Sequence, residues 1–185
     1  MFTHPLAPDV DLRLIEDRHV QAVYDCVRRN LDHLSPWLPW ATPDYSLEGC
    51  RANRRAVRER FARNDGFDAG LFVGGQFVGL IGYHGIDWGN RKTSIGYWLD
   101  AAHGGRGLMT LACRAFVHHA LVDLGLNRVE IRCGVGNHRS RAIPQRLGFT
   151  EEGVARQAER IGERYVDLVV YSMLAGEWAA MRAPA

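Results

Sequence analysis

The stretch from Gly96 to Thr110 reads GYWLDAAHGGRGLMT, with Gly104, Gly105 and Gly107 around Arg106 just ahead of an apolar helical run. Glycines let the chain turn tightly and bring backbone N–H groups toward one point, and a helix N-terminus adds about half a positive charge. Together these features suit an anion such as a phosphate or pyrophosphate. A Walker-type loop needs a lysine, and the chain's single lysine is Lys92, so an ordinary P-loop nucleotidase is not expected. The dinucleotide pattern G-x-G-x-x-G is also absent. Cys26, Cys50, Cys113 and Cys133 are scattered without a C-x-x-C pair, and His118-His119 would point to different sides of a helix. No metal site is expected from that pattern.

These residues need a scaffold. The chain has 185 residues, 46% hydrophobic and 24% charged, with 20 Gly and 7 Pro. That composition predicts one soluble domain over residues 1–185, large enough for a core without disulfides or metal. Of the 23 basic residues 22 are Arg, yet the balance is only +2, which argues against a general nucleic-acid binder. The N-terminal residues lack the basic start and apolar stretch of a signal peptide, and the dispersed thiols fit a reducing, cytoplasmic setting. Residues Ala69 to Ile86 carry no Asp, Glu, Lys or Arg, but six glycines and the Gly74-Gly75 pair predict buried strands and a hairpin rather than a membrane span.

The periodicity predicts a first strand at Val10, Leu12 and Leu14 and a helix from an Asp17 cap to about Asn30. Pro36 and Pro39 make LSPWLPW a rigid apolar loop. Ser46 opens a helix to about Arg63, on which Arg51, Arg54, Arg55 and Arg58 would form a basic ridge. Strands follow near 69–73, 76–84 and 93–100, then a helix over about 106–123. A strand at 128–135, a short helix at 139–147 and two strands, from Phe149 onward and at 164–174, complete the order. The class is α+β, with antiparallel hairpins around one strand–loop–helix–strand unit.

The blocks GYWLD, GGRGLMT and LNRVEIRCGVGNHRSRAIPQRLGFTEEG resemble the RimJ/RimL branch of the GNAT superfamily of N-acetyltransferases. The likeness extends to the early PWLPW and the late YVDLVVYSML. It implies the GNAT fold: a central, mostly antiparallel twisted sheet of about seven strands with helices on both faces. The implied cofactor is acetyl-CoA, held by Gly105, Arg106, Gly107, Leu108, Met109 and Thr110 of the loop. Backbone groups at Trp98 and Leu99 on one parted strand, with Asn137 after the other, would hold its acetyl and pantetheine parts. Arg141 is expected near its phosphate end. The superfamily loop reads Q/R-x-x-G-x-G/A, and here Gly104 and Met109 occupy its first and last places. The backbone amides survive that departure, and Arg106 compensates through the pyrophosphate.

The resemblance also assigns Ser140 as the acid that protonates the departing CoA thiolate and Glu159 as the base for the attacking amine. Trp37 and Trp40 would face the substrate, and Asp167 would bind its ammonium or pair with an Arg. The implied activity is acetylation of a protein or peptide N-terminal α-amine, an acidic ribosomal protein being one such partner. A homodimer is compatible with this branch; nucleic acid and membrane are not expected as partners. Two other readings stay open: a small-molecule amine acetyltransferase, and a non-catalytic acetyl-CoA-binding or ribosome-associated module using the arginine helix.

Overall fold

The computed structural model describes residues 3–182. Eight strands form one sheet: β1 (Thr3–Ala7), β2 (Val10–Leu14), β3 (Asp68–Val73), β4 (Gln76–Asp87), β5 (Lys92–Leu99), β6 (Arg128–Gly134), β7 (Thr150–Ile161) and β8 (Arg164–Leu174). Their spatial order is β1-β2-β3-β4-β5-β6-β8-β7. Every neighbouring pair is antiparallel except β5 and β6, which run parallel. Parallel neighbours need a long crossover, and helix α4 (Leu108–His118) supplies it. The remaining helices are α1 (Val20–Arg29), α2 (Leu31–Leu34), α3 (Leu47–Ala62), α5 (His138–Arg146) and α6 (Ala175–Arg182).

Strand alternation divides the apolar residues between two layers. Leu71, Ile81, Tyr83, Ile95, Val129 and Ile131 pack with Phe116 and Val117 of α4. Phe72, Phe77, Leu80 and Trp98 point to the other face and pack with Val20, Val23 and Val27 of α1. The order from β2 onward follows the periodicity of the sequence. The extra strand β1 and the terminal helix α6 do not: THPLA carries a proline and no alternation, and α6 buries only Trp178.

Ser46 caps α3, its Oγ accepting from Gly49 N at 3.1 Å. The expected basic ridge on that helix is partly engaged. Arg54 and Arg60 both bind Asp68, at 2.9 and 3.1 Å, and Arg58 binds Asp17 at 2.6 Å. Arg54, Arg58 and Arg60 thus share two carboxylates, while Arg51 and Arg55 form no ion pair among the described residues. Among the described residues no helix is long and apolar enough to cross a membrane.

Candidate active site

β5 and β6 pair only from Lys92 with Arg128 to Ile95 with Ile131. Beyond that point each stays bonded to its outer neighbour, Trp98 opposite Leu80 and Cys133 opposite Val169, while no ladder joins the two. The strands therefore part, and the inner backbone edges at 97–99 and 133–134 border an opening. A linear molecule with amide groups could use those edges as a strand would.

The glycine-rich loop leads from the open end of β5. Gly105 and Gly107 have φ of +77° and +73°, and Gly107 is the residue before α4. No atom would lie within 4 Å of a Cβ at either, so glycine is needed there for conformation and not for space. The first amides of α4, from Leu108 to Thr110, have no intrahelical acceptor. Leu108 and Met109 bury their side chains in the core, which leaves their N–H groups as what they can offer an anion. Arg106 is exposed and, among the described residues, its guanidinium has no partner. The loop's start is fixed by α1: Asp100 accepts from Arg29 Nη2 at 2.7 Å, and Asn30 Oδ1 accepts from Ala101 N at 3.0 Å.

On the α4/α5 face of the opening three polar groups meet. Ser140 Oγ lies 3.2 Å from Cys133 Sγ and donates to Tyr97 Oη at 3.3 Å. The Tyr97 hydroxyl in turn donates to the carbonyl oxygen of Ser140 at 3.0 Å. That carbonyl would ordinarily accept from the residue four positions on, but that residue is Pro144, which has no N–H. Burial raises the pKa of both Tyr97 and Cys133, so both keep their protons at neutral pH. Asn137 caps α5, its Oδ1 accepting from Ser140 N at 3.2 Å.

The opposite face carries the loop and Glu159. Trp37 covers the end of β6, where a Cβ at Gly134 would lie 3.2 Å from its ring. Trp40 sits with its ring centroid 6.2 Å from that of Trp98 on β5. The two tryptophans thus stand on opposite sides of the parted strands. Glu159 is opposite Val166, so its side chain shares the face of Leu168 and Gly134. Its carboxylate has no partner among the described residues, and burial alone raises its pKa. Arg164, at the β7–β8 hairpin, donates to Pro36 O at 2.5 Å and ties the hairpin to the tryptophan loop.

Two residues singled out in the sequence have other engagements. Arg141 donates to Tyr171 Oη and Val135 O, both at 3.0 Å, and is 3.5 Å from Glu151. Asp167 accepts from the backbone N–H of Gln157 at 2.7 Å, on the face away from Glu159. One oxygen of its carboxylate is thus held by the β7 backbone. Tyr97 and Cys133 were not among the candidates. For Tyr97 the signal lies in Pro144, whose missing N–H leaves the Ser140 carbonyl open to an outside donor.

The sequence model described as acetyltransferase (GNAT) domain matches residues 9–150. YdaF of Bacillus subtilis (strain 168), named there as a candidate ribosomal N-acetyltransferase, is 37% identical over 179 residues, covering 96% of this chain and 98% of that protein. The ribosomal-protein-serine acetyltransferase of Escherichia coli (strain K12) is 28% identical over 172 residues, 93% of this chain and 96% of its own. A solved structure of RimL, a ribosomal L7/L12 α-N-protein acetyltransferase with coenzyme A disulfide-bonded to a cysteine, superposes with a TM-score of 0.90. It is 27% identical, over 95% of this chain and 99% of that one.

Proposed function

This chain belongs to the GNAT family of acetyltransferases, and from that membership we propose that its residues 1–185, as one domain, move the acetyl group of acetyl-CoA onto the N-terminal α-amine of a protein or peptide. The observation that carries the reading is the two-sided opening between β5 and β6. Proton donors line one face of it, and on the other face of the sheet, on β7 beyond β8, stands the partly desolvated carboxylate of Glu159, without a partner among the described residues.

Acetyl-CoA supplies an activated thioester. The glycine loop, the first-turn amides of α4 and Arg106 fit its pyrophosphate, and the inner edges of the parted strands fit its amide-bearing arm. Of the four cysteines only Cys133 borders the opening; Cys26 and Cys50 lie under α1 and α3, and Cys113 lies within α4. A sulfur that comes beside Cys133, as the cysteine-linked coenzyme A of RimL suggests, also comes beside Ser140.

Glu159 takes the proton of the amine, directly or through water, and burial, by raising its pKa, makes it a stronger base. Backbone N–H groups along the parted edges stabilise the oxyanion that forms. Ser140 passes a proton to the departing thiolate and recovers one from solvent, the proton that Glu159 took from the amine balancing the transfer, while Tyr97 and Cys133 hold the hydroxyl in place. Trp37 and Trp40 give the acceptor an apolar passage. Relatives that act on ribosomal proteins point to such an N-terminus as the acceptor, in a cytoplasmic setting.

A compact amine is the second reading, favoured by the Arg164–Pro36 contact that narrows the mouth. The arginine helix gives less support to a ribosome-binding module, since its guanidiniums at 54, 58 and 60 are already paired. The test is CoA release with peptides beginning Ser, Ala, Met or Thr beside a panel of small amines. Turnover on peptides, lowered about 10²- to 10⁴-fold by Glu159→Gln with CoA affinity retained, is expected. Turnover on small amines and on no peptide would overturn the peptide assignment.

A further inference from the structure

We propose that Asp167 is a positioning residue, locking the bulge in β7 that sets where Glu159 stands. The inference rests on Glu159 serving as the base.

The β7–β8 ladder runs in register as far as Ala155 opposite Leu168 and resumes with Glu159 opposite Val166. Four steps along β7 are thus matched by two along β8, so Arg156, Gln157 and Ala158 crowd against the single residue Asp167. A ladder continued without the bulge would set Glu159 opposite Arg164, at the hairpin tip. The two extra residues draw it back by about 7 Å toward the parted strands, at 3.3–3.4 Å per residue. Because the number is even, Glu159 keeps the face that carries Trp37 and Trp40.

A bulge of this kind must be held. Gln157 sits at φ +50°, a left-handed conformation unfavourable for a residue with a Cβ. Its N–H has left the strand ladder, and the Asp167 carboxylate receives it at 2.7 Å. The backbone of Asp167 is fixed from the other side, its carbonyl accepting from Val135 N at 3.0 Å in the turn that leads to Asn137 and Ser140. One residue therefore ties the strand of the base to the turn before the acid. Its role is to accept a hydrogen bond, and for that its charge is dispensable.

Three variants decide the matter, each assayed for peptide turnover, CoA binding and thermal melting. Asp167→Ala should lower kcat about 10- to 100-fold, the range for a displaced reacting group, while CoA affinity stays unchanged. Asp167→Asn keeps an oxygen that can accept from Gln157 N and should restore most of the loss. A carboxylate that binds the substrate ammonium would behave differently, since Asn would then fail as Ala does and KM would rise. Asp167→Asn as impaired as Asp167→Ala, or Asp167→Ala as active as the unaltered protein while Glu159→Gln is inactive, overturns the positioning role alone. Full turnover by Glu159→Gln overturns the base assignment and this inference with it.

Discussion

The hydroxyl of Tyr97 donates to the carbonyl of Ser140, the acceptor that Pro144 leaves without an intrahelical donor. A proline inside a nine-residue helix and a tyrosine on a strand forty-three positions before Ser140 are thus parts of one arrangement. It also holds the Ser140 hydroxyl beside Cys133. The energetic consequence is a coupling between positions that do not bond each other directly.

Tyr97→Phe leaves that carbonyl unsatisfied and should cost about 1–3 kcal/mol of stability. In a Pro144→Ala background the new N–H at 144 serves Ser140, so the same change should cost much less. Urea unfolding of the four proteins gives the double-mutant cycle. Equal costs in both backgrounds would mean that Tyr97 matters for another reason.

Burial raises the Glu159 pKa, which has two consequences of fixed sign. The acid limb of kcat/KM should lie above the value of about 4.3 for a free glutamate. For stability, the native state holds the Glu159 proton more tightly than the unfolded chain does. The contribution is therefore favourable below the unfolded pKa and lost as pH rises through the folded one. Glu159→Gln should accordingly melt at a higher temperature than the parent at pH 7 while losing activity. A lower melting temperature would show that the carboxylate makes a favourable contact.

Gly107→Ala tests the loop. Nothing obstructs the new methyl, so the penalty is that of a left-handed backbone, about 1–2 kcal/mol. If that conformation aims the first amides of α4 at the pyrophosphate, the dissociation constant for CoA should rise about 5- to 30-fold, with kcat at saturation little changed. Calorimetric titration with CoA reads this directly.

Asp68 lies between Arg54 and Arg60, and the Nε of Arg60 is buried without a partner. Asp68→Asn should cost about 3–5 kcal/mol in urea unfolding, because it strands two cations in a largely desolvated place. Arg51 and Arg55 of α3 are exposed and form no ion pair among the described residues, so they remain able to attract an acidic substrate. Peptide KM is therefore expected to rise with salt; a KM unchanged between low and moderate salt would remove charge recognition from this helix.

The sequence determined most of the scaffold. Alternation at Val10, Leu12 and Leu14, the paired glycines at 74 and 75, the cap at Ser46 and the glycines before α4 are local signals. They act within a few residues, and the elements they specify are present. The ordered blocks from Gly96 to Gly153 likewise identified the family before any contact was known. What the sequence left open were meetings between distant polar residues. Spacing alone puts Arg54 and Arg58 on a basic ridge, but Asp68 and Asp17 come beside them, and Tyr171 and Val135 take the donors of Arg141. Tyr97 found Ser140, and Asp167 found Gln157. The parting of β5 and β6 is of the same kind, because each strand's outer partner decides where it runs. Periodicity and propensity are set by a residue's own neighbours along the chain. Which donor meets which acceptor is set by the packing of whole elements, and only the folded sheet decides that.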